Sequence, residues 1–310
     1  MRRGSLVRLA LLALLWGSGF LWIKLALRGF TPVQLVFVRL ALGAVVLMLV
    51  ALLSGLRPPT ARRTWAHLSV AALVATTIPY TLVGIGEQTI GSNVAGVLHA
   101  TTPVWTVLVA FLVGPDRVTS VRRGIGIALG FAGTLFILSP WESAGEMVSW
   151  GGLAVLGAAA SYAVSFVYMS RYLTNRGIPP LMLSACQLGV GAILIALALP
   201  FGGGLTPLAW RGDAVASLLV LSIFGTAIAY VLNYRLIADE GPTVTSTTTY
   251  LLPIVAVLLG ALVVDEPTTV SMIAGMVLVL GGVALAQRNP ALRPEERTGT
   301  RLTDEAELRS

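Results

Sequence analysis

Residues 97–105 read VLHATTPVW, and residues 247–255 read TTTYLLPIV. A shift of 150 lays Pro103 on Pro253, and the match extends in both directions. Tyr80 falls on Tyr230, Leu82 on Leu232, Gly91 on Gly241 and Val94 on Val244. Val107 falls on Val257, Leu108 on Leu258, and Asp116 meets Glu266. One residue less of shift pairs Gly126 with Gly275 and Gly133 with Gly282. At a shift of 148, GFTP (29–32) faces GIPP (177–180), and Arg39 stands opposite Gln187. The chain is therefore read as two copies of one unit.

The bulk composition says where such units live. The 310 residues are 56% hydrophobic and 11% charged, against about 25% charged for soluble domains. A run of about 20 apolar residues crosses the hydrocarbon core as a helix. Ten runs qualify, near 6–27, 32–54, 66–87, 92–113, 123–139, 150–170, 180–200, 214–235, 243–264 and 269–286. The expected fold is all-α and integral to the membrane, with ten transmembrane helices in two five-helix units. Their bounds are 1–140 and 141–287, and 288–310 follows as a disordered tail with no apolar period.

Five helices is an odd number, so the second unit enters the bilayer the other way up. Arginine placement agrees. Arg2, Arg3, Arg8, Arg57, Arg62, Arg63, Arg117, Arg122, Arg123, Arg171, Arg176, Arg235 and Arg288 flank one side, and Lys24, Arg28 and Arg211 the other. By the positive-inside rule both termini are expected in the cytoplasm, in the cell (plasma) membrane. The net charge of +7 lies in loops rather than on one basic face, so nucleic acid is not expected as a partner. The lone Cys186 cannot form an internal disulfide. The N-terminal arginines and apolar run imitate a signal peptide, but so many similar runs follow that a retained first helix is expected.

An inverted five-plus-five repeat points to a secondary transporter whose site lies near the midplane between the halves. The chain also resembles the EamA-type members of the drug/metabolite transporter superfamily. The resemblance rests on LLWGSGFLWIK (14–24), TPVQLVFVRLALGAVVL (31–47), TTPVWTVLVAFLV (101–113), LLPIVAVLLGALVVDEPTT (251–269) and GMVLVLGGVAL (275–285). It covers about 5–287 and departs at GPDR (114–117), where relatives more often carry an acid followed by a proline. It implies a central cavity, alternating access, and small organic substrates such as amino acids, other metabolites or drugs, often exported.

Polar residues at membrane depth are functional candidates by default. His99, Ser92, Thr102 and Thr106 recur at helical spacing and form a candidate cavity wall. They can equally be satisfied by neighbouring helices and their own backbone. His99 is also a candidate proton carrier. Pro103 and Pro253 are candidate hinges, since each removes a backbone hydrogen bond at a matched place. Trp16, Phe20, Tyr80, Tyr162, Tyr230 and Tyr250 are candidate substrate contacts, each with a packing alternative. Arg39, about 10 Å into its helix at 1.5 Å per residue, is expected to pair with Glu87; binding an anionic substrate is the alternative.

A membrane enzyme is the second function class, but no central acidic pair to hold a metal and no G-x-S-x-G elbow is present. No cofactor is implied. A channel would show a ring of charges or a carbonyl filter. The substrate, the coupling ion (protons are the candidate) and the oligomeric state are not legible.

Overall fold

Thr31 and Gln34 show how the apolar helices are started. The Thr31 hydroxyl accepts from the Gln34 backbone N–H, and the Gln34 side chain accepts in return from the Thr31 N–H. With Pro32 as the first helical residue, this box satisfies donors that would otherwise be orphaned. Pro180 opens the matching helix of the second half. Ser149 caps the helix before it by accepting from Gly152.

The computed structural model describes residues 3–90, 92–113, 121–139, 141, 145, 148–200, 205–207, 211–263 and 269–287. The first half comprises α1 (Arg3–Gly17), α2 (Gly19–Ala26), α3 (Pro32–Leu53), α4 (Arg62–Ala72), α5 (Ile78–Gly86), α6 (Ser92–His99), α7 (Thr102–Val113) and α8 (Val121–Leu138). The second comprises α9 (Trp150–Tyr172), α10 (Pro180–Ala198), α11 (Gly212–Ser222), α12 (Ala229–Glu240), α13 (Pro242–Ser246), α14 (Thr248–Val263) and α15 (Val270–Gln287). No strand occurs among the described residues. Eight helical runs there have the length and apolarity to cross a membrane. The expected fifth and tenth spans are shorter apolar helices, Gly124–Leu138 and Val270–Ala286. The tail 288–310, Asp116 and Glu266 lie outside the described residues.

The halves interlock in reciprocal pairs. α3 lies along α10 and α8 along α15; α5 and α7 pack on α9, as α11, α12 and α14 pack on α1 and α2. Side chains repeat the symmetry. A methyl group on Gly43 would sit 3.3 Å from Leu188 and 3.4 Å from Thr226. One on Gly191 would meet Leu40 at 3.2 Å and Thr76 at 2.7 Å. Along α8 and α15 the backbones touch. A methyl on Gly126 would lie 2.6 Å from the Gly282 carbonyl, and one on Gly133 2.6 Å from that of Gly275. Lipid supplies no hydrophobic drive between helices, so close backbone packing of small residues replaces it.

Two breaks in α-helical geometry also repeat. α4 passes to α5 through a π-helical turn, Leu73–Thr77, and α11 passes to α12 through another, Ile223–Ile228. A π turn shifts the bonding ladder and leaves carbonyls open to side chains. The Tyr230 hydroxyl donates to the Ala75 carbonyl at 2.5 Å. Arg39 donates through Nη2 to the Gly225 carbonyl at 3.3 Å. Ala75 and Gly225 are equivalent at the 150-residue shift.

The breaks expected at the two prolines fall elsewhere. The fourth span is interrupted at Ala100 and Thr101, and Pro103 sits in the first turn of α7, where its missing N–H costs nothing. Pro253 lies inside α14, and the interruption there precedes it at Thr247. Back-bonded hydroxyls supply the alternative: Thr101 donates to Leu98, Thr102 to His99, and Thr247 to Val244. Such bonds compete with the helix ladder and bend it. The first span, expected to be continuous, also breaks at Ser18 between two glycines.

Candidate functional site

Between the halves lies a cavity of about 750 Å³, measured out to its open mouth. Its polar wall is Arg39, Tyr80, His99, Tyr162 and Thr249, set among apolar and aromatic side chains such as Trp16 and Phe166. The break at Ser18 brings Trp16 and Gly19 to this wall from the two pieces of the first span. His99 ends α6 just before the fourth span is interrupted, and Thr249 enters from the opening turn of α14. His99 and Thr249 are equivalent at the 150-residue shift, so one position of the repeat reaches the cavity from both halves.

Two aromatic contacts organise the wall. His99 stacks on Tyr162 with centroids 5.0 Å apart and planes at 23°. Tyr162 and Tyr80 are tilted to one another at 6.4 Å. The Arg39 guanidinium stands over the Tyr80 ring, 3.8 Å from its centroid, in the geometry of a cation–π contact. Arg39 is 6% exposed. Its Nε donates to the Thr226 hydroxyl at 2.5 Å. That hydroxyl spends its own proton on the Leu221 carbonyl, which leaves a lone pair facing Arg39.

The expected pairing of Arg39 with Glu87 is not what the structure shows. Ion pairs among the described residues join Arg8 to Asp239, and both Arg28 and Arg211 to Asp213. Glu87 caps the end of α5 off the cavity wall, and its buried carboxylate oxygens accept no hydrogen bond. The reason is the π turn of the second half, which offers Arg39 a carbonyl and a hydroxyl at closer range.

Of the sequence candidates, Trp16, Tyr80, His99 and Tyr162 reach the cavity, together with Arg39. Thr102 and Thr106 do not; they are buried and bonded back to carbonyls of their own span. Tyr230 is buried and holds Ala75. Tyr250 is buried against α8, with its ring 2.7 Å from where a methyl on Gly130 would stand. The side chains of Phe20 and Ser92 lie outside the described residues. Sequence reasoning missed Thr249, Leu252, Phe166 and Leu35. For Thr249 the signal was present, as the repeat partner of His99; the apolar residues carry none.

A polytopic helical fold with interlocked halves around a central cavity is that of a membrane transporter. The EamA-like transporter family model matches twice, over 5–139 and 149–287, and the chain belongs to that family. It is similar to "Uncharacterized transporter YvbV" of Bacillus subtilis (strain 168), 27% identical over 281 residues and covering 89% of each chain. It is also similar to "Uncharacterized inner membrane transporter YedA" of Escherichia coli (strain K12), 29% identical over 251 residues, 80% of this chain and 79% of that one. A solved crystal structure shares the fold at a TM-score of 0.74 and 21% identity, with 92% of this chain and 97% of that one aligned. Family and relatives point to a transporter rather than an enzyme. The chain is an integral, multi-pass membrane protein.

Proposed function

We propose that the protein is a secondary transporter that exports small organic molecules, amino acids and drugs among the classes to test, by alternating access around the central cavity. The observation that carries this reading is that His99 and Thr249, equivalent in the repeat, face one cavity. A site walled by both halves changes shape when one half rocks against the other, so a ligand bound there interacts differently with the two states. The broken first and fourth spans support it, since interrupted helices place polar backbone and side chains at a midplane site. The two domains of the cycle are taken as 1–140 and 141–287. The membrane is taken as the cell membrane, with both termini in the cytoplasm by the arginine bias. Export as the direction rests on the family resemblance. Protons are the candidate coupling ion, with His99 the candidate carrier.

The test is purified protein in liposomes, assayed for movement of a labelled panel of amino acids, organic acids and cationic dyes with and without a pH gradient. Saturable, protein-dependent movement of at least one compound is expected. Movement of none, from protein that is folded and correctly inserted, rejects the reading.

A further inference from the structure

We infer that the cavity selects small organic molecules that carry an anionic head group on an aromatic or apolar body, with Arg39 as the residue that takes the head group. This rests on the transporter reading and narrows its substrate class.

Every hydrogen-bond and ring partner of Arg39 is neutral. Nε meets the Thr226 hydroxyl, Nη2 meets the Gly225 carbonyl, and the face of Tyr80 lies against the guanidinium. None of the ion pairs among the described residues includes Arg39. Among the described residues no carboxylate lines the cavity, and Glu87 accepts no hydrogen bond from Arg39 or from any other described donor. A permanent charge is thus held at 6% exposure in a membrane-embedded wall, within electrostatic range of Glu87 but with no carboxylate in ion-pair or hydrogen-bond contact among the described residues. Isolated charges in a low-dielectric setting are costly and are kept where a partner or a function compensates them.

The repeat shows that the fold does not require this charge. Gln187 occupies the place of Arg39 in the second half. It is a neutral amide, fully buried, accepting a hydrogen bond from the Tyr234 hydroxyl. The equivalent helix position is filled without a cation. The charge belongs to the cavity side of the first half alone.

The remaining donors suit a carboxylate or similar oxyanion. A guanidinium carries five N–H groups in a planar fork. Two are engaged, by Thr226 and Gly225, and these hold the plane in place. The others are available for a two-point contact with an oxyanion. Around the fork stand Trp16, Tyr162, His99 and Phe166, which favour a flat apolar body over a polar one. A cationic ligand would meet the Arg39 charge with no acid on the described cavity wall to offset it.

The experiment compares three probes of one shape by calorimetric titration of the purified protein: phenylacetate, phenylacetamide and phenethylamine. Phenylacetate is expected to bind at least about tenfold more tightly than the other two, one decade being the smallest clear difference in affinity. Arg39→Gln should abolish that preference, and Arg39→Lys should keep part of it. If Arg39→Gln does not fold, the ranking on the unaltered protein decides. Equal or tighter binding of the amide or the amine overturns the inference, as does binding of none of the three, or a preference that survives Arg39→Gln. Liposomes that move phenethylamine but not phenylacetate sink the anion assignment and leave the transporter reading standing. Liposomes that move nothing from the wider panel sink the transporter reading itself.

Discussion

Tyr230 and Arg39 do the same job on opposite sides of the boundary between the halves. Each crosses it to donate to the open carbonyl of a π-helical turn, Tyr230 to Ala75 and Arg39 to Gly225. By the repeat, the counterpart of Tyr230 is Tyr80, which instead lies beneath the Arg39 guanidinium. The fold is nearly symmetric at these turns, and the departure from symmetry is where the positive charge stands.

Tyr230→Phe tests the structural half of this arrangement. The ring keeps its packing and the Ala75 carbonyl loses its donor. Polar contacts of this kind in membranes contribute on the order of 1 kcal/mol. A loss of stability of about that size is expected in thermal unfolding of the detergent-purified protein, with the cavity wall unaltered. An unchanged melting temperature would mean that the carbonyl finds another donor.

The glycine seam makes a stronger prediction. Gly133→Leu forces a side chain into the Gly275 backbone, where even a methyl would sit 2.6 Å from the carbonyl. Overpacking commonly costs about 1–3 kcal/mol, and here backbone rather than a flexible side chain must yield. A large loss of monodisperse protein on size exclusion is expected. Gly124→Ala, on the same helix with nothing within 4 Å, should be tolerated or slightly stabilising.

His99 and Thr102 separate cavity from scaffold. His99→Ala removes the ring that stacks on Tyr162, and should weaken binding of the best transported compound by about fivefold, in line with the roughly 1 kcal/mol of an aromatic pair. Thr102→Val should leave affinity unchanged, because its hydroxyl is turned to the His99 carbonyl and away from the cavity. Equal effects of the two substitutions would contradict the placement of the wall. The pH profile of transport by His99→Gln reads out proton carriage separately.

Arg8 and Asp239 tie the first helix to the end of α12, with nitrogen and oxygen 2.5 Å apart and side-chain exposures of 26% and 45%. Pairs this exposed contribute little, about 0.2–1 kcal/mol. A double-mutant cycle with Arg8→Ala and Asp239→Ala should give a coupling in that range, shrinking as salt is raised. A coupling of several kcal/mol would point to a role in the conformational cycle.

Much of this architecture is a matter of composition and spacing. Length and apolarity mark the helical runs because a bilayer leaves backbone groups no other partner. The shift that lays Pro103 on Pro253 exposes the repeat because both copies solve the same packing problem. Trp16, Tyr80, His99 and Tyr162 could be named as wall candidates since polar and aromatic groups at membrane depth are few.

What spacing cannot carry is the partner across the boundary. The sequence put Arg39 opposite an acid because charge attracts charge, yet the structure gives it Thr226, Gly225 and the face of Tyr80. Periodicity made Thr102, Tyr230 and Tyr250 as eligible as His99, although only His99 among them reaches the cavity. The prolines marked the right spans, but the breaks fall where threonines bond back to the backbone. A helix face is a local property, whereas a cavity wall depends on which faces the other helices leave uncovered, and that is settled only when the halves interlock.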